Sequence, residues 1–159
     1  MANYNVSTQE ALANINRGMR VTKAASSLAA TNDVDLFLVK GGAVAVLGLV
    51  GVCDGAMQAS ATTLLIKCTP EAGTGTALSI ASGSLSAKAA NTMLTLPAAV
   101  GSALVISTGE AAALLTSAPV YYVQPCKIQM TVGAATNTQT VTWHIWYVPM
   151  SEGAYIEAA

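Results

Sequence analysis

The clearest alternation of apolar and polar residues runs over 126–149, CKIQMTVGAATNTQTVTWHIWYVP. The two kinds of residue alternate within 128–132, and after a small, polar stretch at 134–139 the alternation resumes over 141–147. A period of two is typical of a half-buried β-strand. The pattern therefore predicts a β-hairpin whose turn lies at 134–139.

The second arm of this hairpin holds both tryptophans and the only histidine of the chain. Because side chains of a strand point alternately to its two faces, the arm has an apolar face and a mixed face. We expect His144 and Trp146, on the mixed face, to contact a neighbouring subunit. The apolar face, predicted to point into the core, comprises Val141, Trp143, Ile145 and Tyr147.

Short β-rich segments separated by glycine, proline and aspartate recur along the rest of the chain. No helix-length segment lies between them, so parallel strands would have no crossover helices. We expect an all-β fold, an antiparallel β-sandwich or jelly roll of about eight strands. The candidates outside the hairpin are 34–39, 43–53, 62–69, 76–82, 92–96, 103–107 and 120–123, with an edge strand around Tyr155 and Ile156.

The first 32 residues differ from the remainder. Ser7 and Glu10 have the spacing of a capping box, in which each side chain satisfies a backbone amide at the start of a helix. Gly18 is placed to end that helix, and the residues after it are rich in Ala, Ser and Thr. We predict an N-terminal arm over 1–32, with a short helix and an extended segment, and a β-sandwich body over 33–159.

Charged residues are scarce. They make up 9% of the chain, whereas hydrophobic residues make up 53% and the net charge is −1; a soluble domain is typically about 25% charged. With so few charges, electrostatic repulsion between copies of the chain is too weak to prevent their association in solution. We expect much of the surface to be covered by further copies or by a partner, the alternative being a neutral Ser/Thr surface. Arg17, Arg20 and Lys23 stand against Glu10 in the arm, which is therefore slightly basic.

Several functional classes find no support in the residues. The longest apolar run, 41–53, is shorter than the roughly 20 residues of a membrane span. The first twenty residues show no secretory signal, so we expect a protein made in the cytoplasm, with no membrane partner. Cys53, Cys68 and Cys126 lie far apart and accompany a single histidine, which predicts core residues rather than a zinc site. No metal or cofactor is expected, and the scattered basic residues do not predict nucleic-acid binding.

Catalysis has one candidate residue. His144 is the only side chain that ordinarily titrates near neutral pH, and the G-x-S-x-G motif of hydrolases is absent. We expect no enzymatic activity, with an esterase that uses His144 as the alternative. Asp33 and Asp35 are two residues apart on a predicted strand; they suit either a weak Ca²⁺ site or an exposed strand edge.

Three features of the chain resemble small structural proteins of tailed-bacteriophage virions, in particular capsid decoration (cement) proteins. They are the opening MANYNVSTQEALANINRGMR, the Ala/Ser/Thr/Gly-rich body and the closing TVTWHIWYVPMSEGAYIEAA. In the closing stretch an aromatic strand is followed by a proline, an acidic-Gly turn and a tail ending in Ala-Ala. The resemblance implies a β-sandwich that associates around a symmetry axis, often as a trimer, with an arm over neighbouring capsid subunits.

The function that follows from the resemblance is non-enzymatic. The chain would decorate the outer capsid surface of a virion assembled in a bacterial cytoplasm and would bridge adjacent copies of the major capsid protein. On this hypothesis Arg17, Arg20 and Lys23 bind the capsid electrostatically. The apolar anchors beside them would be Leu12, Ile15 and Val21.

Two alternatives stay open beside decoration. A head- or tail-fibre module would bind a host glycan through exposed aromatic side chains such as Trp146, Tyr121 or Tyr122. A coat protein would assemble into closed shells without help from another chain.

Overall fold

A computed structural model describes residues 18–107 and 120–159. Every regular element within these ranges is a β-strand, and no helix there could cross a membrane. The helix predicted for the arm lies outside the described residues. The strands are β1 (Met19–Ser27), β2 (Asp33–Lys40), β3 (Val44–Cys53), β4 (Thr63–Thr69), β5 (Thr76–Ala77), β6 (Met93–Thr95), β7 (Val105–Ser107), β8 (Tyr121–Val123), β9 (Cys126–Gly133), β10 (Thr140–Pro149) and β11 (Tyr155–Ala158).

The strands form two antiparallel sheets. Sheet A has the order β1-β10-β3-β6-β7, and β8 also pairs with β3. Sheet B has the order β11-β2-β9-β4-β5. Inward-facing side chains of both sheets meet in one hydrophobic core. The prediction of an all-β fold of antiparallel sheets is thus confirmed, and the arrangement is sandwich-like.

The pairing of the strands is nested. The chain changes sheet at each of its first three connections, and β1 pairs with β10, β2 with β9, β3 with β8, and β4 with β5. The fold therefore resembles one long antiparallel ribbon bent back and forth across the core. Successive turns of the ribbon are joined where β10 pairs with β3 and where β9 pairs with β4.

The predicted hairpin over 126–149 is wrong in its pairing. Both arms exist, as β9 and β10, but they belong to different sheets and face each other across the core. The six-residue connection 134–139 is long enough to span the roughly 10 Å between packed sheets. Asn137 holds it in place: it is buried, its backbone amide donates to the Leu28 carbonyl (2.9 Å) and its side chain to Ser60 Oγ (3.2 Å).

The extended half of the predicted arm belongs to the body. β1 pairs with β10 from Met19, opposite Tyr147, to Ser27, opposite Thr140. Its inward side chains, such as Met19, pack against the core. A bulge interrupts the pairing after Lys23. β1 is therefore a strand of sheet A, although it lies within the predicted arm over 1–32.

The remaining strand predictions agree with the structure except over 76–82. There only Thr76–Ala77 pairs as a strand. Beyond it, the hydroxyls of Ser79 and Ser82 accept hydrogen bonds from the backbone amides of Ile66 (3.1 Å) and Leu64 (3.0 Å). These side chains take the place of strand carbonyls along β4, so the segment follows the edge without continuing the ladder.

Trp143 is the largest fully buried side chain and lies opposite Gly51 of β3. A methyl group at Gly51 would lie 2.8 Å from the indole Cζ3 and Cη2 atoms. The ring thus occupies the space that a side chain at Gly51 would need. On the outer face of the same two strands, Gly48 lies opposite Trp146, and nothing is within 4 Å of its Cβ position.

This difference gives a matched pair of variants. We expect Gly51→Ala to destabilise the chain by about 1–3 kcal/mol, because the added methyl overpacks a rigid core. We expect Gly48→Ala to change the free energy of unfolding by less than about 0.5 kcal/mol. Urea unfolding of the two variants beside the wild type measures both values. Equal effects at the two positions would contradict the packing described for Trp143.

Candidate functional site

The two sheets carry very different numbers of charges. The strands of sheet B hold six charged residues, whereas those of sheet A hold two. The charged residues are Asp33, Asp35, Lys40, Lys67, Lys127 and Glu157 in sheet B, and Arg20 and Lys23 in sheet A. Among the charged residues that lie in strands, most therefore belong to sheet B.

The six charges of sheet B are paired with one another on its outer surface. Hydrogen bonds from Lys67 and Lys127 lower the pKa of Asp33 and Asp35, respectively, below the ordinary value. Each of the two aspartates therefore pairs with its own lysine. This arrangement agrees better with an exposed strand edge than with a Ca²⁺ site formed by both carboxylates. The Nζ–carboxylate distances are 2.6 Å for Lys67–Asp33, 2.7 Å for Lys127–Asp35 and 2.5 Å for Lys40–Glu157.

Sheet A has an outer surface of aromatic, aliphatic and hydroxyl side chains, which we call the sheet A face. Directly opposed residues of an antiparallel pair point to the same side of a sheet. The register therefore places three rows side by side across β1, β10 and β3. The rows are Arg20, Trp146 and Gly48; Thr22, His144 and Val50; and Thr142 with Val52.

His144 lies at the centre of the sheet A face. Its Nδ1 atom is 2.9 Å from Thr22 Oγ1, and its ring centroid is 6.2 Å from that of Trp146. Burial, and secondly the positive charge of Arg20, lower the pKa of His144 below the ordinary value. The imidazole is therefore neutral at neutral pH. Within residues 18–107 and 120–159, Thr22 provides the only side-chain hydrogen bond to this ring.

The structure brings together one residue from each of the two predicted contact sets, the capsid contacts and the subunit contacts. Arg20, predicted to bind a capsid, lies opposite Trp146, predicted to bind another subunit. Val21 and Lys23 lie elsewhere: Val21 packs against the core, and Lys23 Nζ donates to the Ala159 carbonyl. Val21 is partly buried on the inward side of β1 and does not belong to the sheet A face. The other three predicted contacts, Leu12, Ile15 and Arg17, lie outside the described residues.

The far end of the sheet A face carries the negative charge of Asp54. Asp54 follows β3 and accepts hydrogen bonds from the hydroxyls of Thr140 (2.6 Å) and Thr142 (2.8 Å). The strand order places Arg20 and Asp54 on opposite sides of β10 and about six residues apart along it. The face thus has a cation at one end, an anion at the other and an uncharged centre.

The aromatic residues predicted to bind a glycan are not all together. Tyr121 and Tyr122 line a cavity of about 310 Å³, in which Tyr122 is 62% exposed. The Tyr121 hydroxyl donates to the Leu78 carbonyl (2.9 Å), which fixes that ring. Trp146 lies on the sheet A face and does not line this cavity.

No protein-family model, curated protein or solved structure matches the chain. The part of the chain that the structure describes also contains no group of three or more His, Cys, Asp and Glu side chains suited to a metal ion. The sheet A face is therefore the best candidate site on geometry alone, because it combines low charge, aromatic area and complementary charged ends.

We expect the charge of Arg20 to be measurable at His144. Arg20→Gln should raise the His144 pKa but leave it below the ordinary value of histidine, because burial is the larger cause of the shift. Lys23→Gln is the matched control, since Lys23 lies on the opposite side of β1. The pKa is read from the imidazole proton shifts in an NMR titration. A shift of equal size in both variants would show that Arg20 does not lie beside His144.

Proposed function

We propose that this chain is a non-enzymatic structural protein of a tailed-bacteriophage virion, a decoration protein that binds the assembled capsid from outside. The contrast between the two outer surfaces carries the proposal. Sheet B presents paired charges to solvent, whereas the sheet A face has an uncharged, aromatic centre. Contiguous surfaces of the second kind mark contact sites between proteins.

The nested strand pairing supports the finer assignment of the fold as a jelly roll. A jelly roll consists of two antiparallel sheets built from such a folded ribbon, and it is common in viral capsid and lectin domains. Here the folded ribbon places β1, β10, β3 and β8 in one sheet and β2, β9, β4 and β5 in the other, with β11 added beside β2. The fold alone does not select a function, so the proposal rests on the sheet A face.

The proposed mechanism assigns separate tasks to two surfaces. The sheet A face joins copies of the chain into a homo-oligomer, with a trimer as the expected form, and Arg20 and Asp54 pair with opposite charges of a neighbouring copy. Residues before β1, including Leu12, Ile15 and Arg17, bind the major capsid protein. Each oligomer then bridges adjacent capsid subunits. Because binding occurs only to the assembled shell, it shifts the equilibrium towards assembly by mass action.

A glycan-binding fibre module is the second candidate, and one observation favours it. Tyr121 and Tyr122 line the cavity of about 310 Å³ together with Thr74, Thr76 and Gln124, so an aromatic surface lies beside polar groups. In that case a glycan array should give hits that Tyr122→Ala removes. A coat protein, in contrast, would form closed shells from the purified chain alone.

The first test concerns the sheet A face. We expect light scattering to show a discrete small oligomer, and Trp146→Ser to weaken its association by about 2 kcal/mol or more, as for an aromatic hot spot. Tyr155→Ser is the matched control, because Tyr155 is an exposed aromatic residue on sheet B. A wild type that stays monomeric at all concentrations, or a Trp146→Ser variant with unchanged mass, would overturn this part of the proposal.

The second test concerns the residues before β1. We expect the triple variant Leu12→Ala, Ile15→Ala, Arg17→Ala to remain oligomeric but to bind purified capsids at least about tenfold more weakly, a loss of about 1.4 kcal/mol. All three positions precede β1, which begins at Met19. A deletion of 1–32 would not be informative, because it removes β1 and exposes an edge of β10. Unchanged capsid affinity of the triple variant would refute the assignment.

A further inference from the structure

Two of the three cysteines lie next to each other in sheet B. Cys68 of β4 is directly opposite Ile128 of β9, and Cys126 lies two positions further along β9 on the same inward side. This neighbourhood follows from the pairing of β4 with β9 and could not be seen in the spacing of the cysteines along the chain.

The pair opens onto a cavity. Cys68 and Cys126 both line the space of about 310 Å³ that is also bordered by Tyr121 and Pro125. Their exposed fractions are 9% and 8%, whereas Cys53, at the end of β3 in sheet A, is fully buried. A small ion or reagent can therefore reach the pair in the folded chain, and Cys53 serves as an internal control.

The register of the pair argues against a direct disulfide. Diagonal neighbours in an antiparallel sheet are about 7–8 Å apart, whereas disulfides usually join Cα atoms 4.4–6.8 Å apart. An atom placed between the sulfurs relieves this mismatch, since two metal–sulfur bonds of about 2.3 Å span roughly 4.6 Å. The geometry therefore suits a bridging ion better than a sulfur–sulfur bond.

We propose that Cys68 and Cys126 form a dithiol site that holds one soft, two-coordinate cation, with Cu(I) as the biological representative of the class. Thiolates are the ligands that soft cations prefer. In the binding step two S–H bonds break, two sulfur–metal bonds form and two protons pass to solvent. No electron is transferred, so the step needs no oxidant.

One further observation bears on selectivity. No third His, Cys, Asp or Glu completes a metal cluster here among the described residues. Zinc takes four protein ligands in structural sites, so two thiols suit better an ion that is stable with two ligands.

The test uses silver(I), which shares the charge and ligand preference of Cu(I) and needs no reductant. We expect native mass spectrometry of the full chain to show one silver ion replacing two protons, retained in the presence of excess glutathione. Cys68→Ala and Cys126→Ala should each lose roughly a hundredfold in retention, because the second ligand supplies the chelate effect. Cys53→Ala should match the wild type, and zinc should not bind.

A second measurement uses only the wild type, so it does not depend on how well the variants fold. We expect silver to protect Cys68 and Cys126 from alkylation in the folded chain, with the protected positions identified by peptide mass mapping. Equal retention of silver by Cys68→Ala, Cys126→Ala and the wild type would overturn the proposal. Protection confined to one thiol, or loss of silver in Cys53→Ala, would overturn it as well.

Discussion

The contact between Trp143 and Gly51 fixes the register on which the rest of sheet A depends. Burying an indole removes about 150–250 Å² from water, worth roughly 4–6 kcal/mol at 25 cal/mol per Å². Its Nε1–H has no hydrogen-bond partner among the described residues, which costs about 1–3 kcal/mol, so burial prevails. A slip of one residue would place Trp143 against a side chain and turn His144 and Trp146 inward. The same contact that fills the core therefore creates the sheet A face.

Alternation along the chain is enough to predict strands and their faces but not their partners. The inward stripe of β10 was predicted residue by residue, and the edge strand β11 was also found. The pairing of β9 with β10 was predicted wrongly, because two apolar stripes can be buried either side by side in one sheet or face to face across two. β1 was missed as a strand because its Ala- and Ser-rich half contains a bulge and lacks a clean period of two.

For the candidate site residues, too, the sequence predicted the face of a strand but not the neighbours across strands. His144 and Trp146 were placed on the outer side from alternation alone, and their burial pattern agrees. Arg20 could not be placed beside them, because its position depends on the pairing of β1 with β10. Val21 was expected to be an apolar anchor beside Arg20, yet successive side chains of a strand point to opposite faces, and Val21 points towards the core. The neighbourhood of Cys68 and Cys126 likewise depends on strand pairing, and no local signal announces it.

The ion pairs of sheet B explain little of the chain's stability, since exposed pairs contribute about 0–1 kcal/mol each. Their position matters more than their strength. Six charges on one sheet make that surface costly to desolvate, so a second copy of the chain gains nothing by packing against it. The sheet A face, with charges only at its ends, has no such penalty. Under the proposed assembly, charge placement therefore selects which side of the fold associates, and the scarcity of charge elsewhere permits that association.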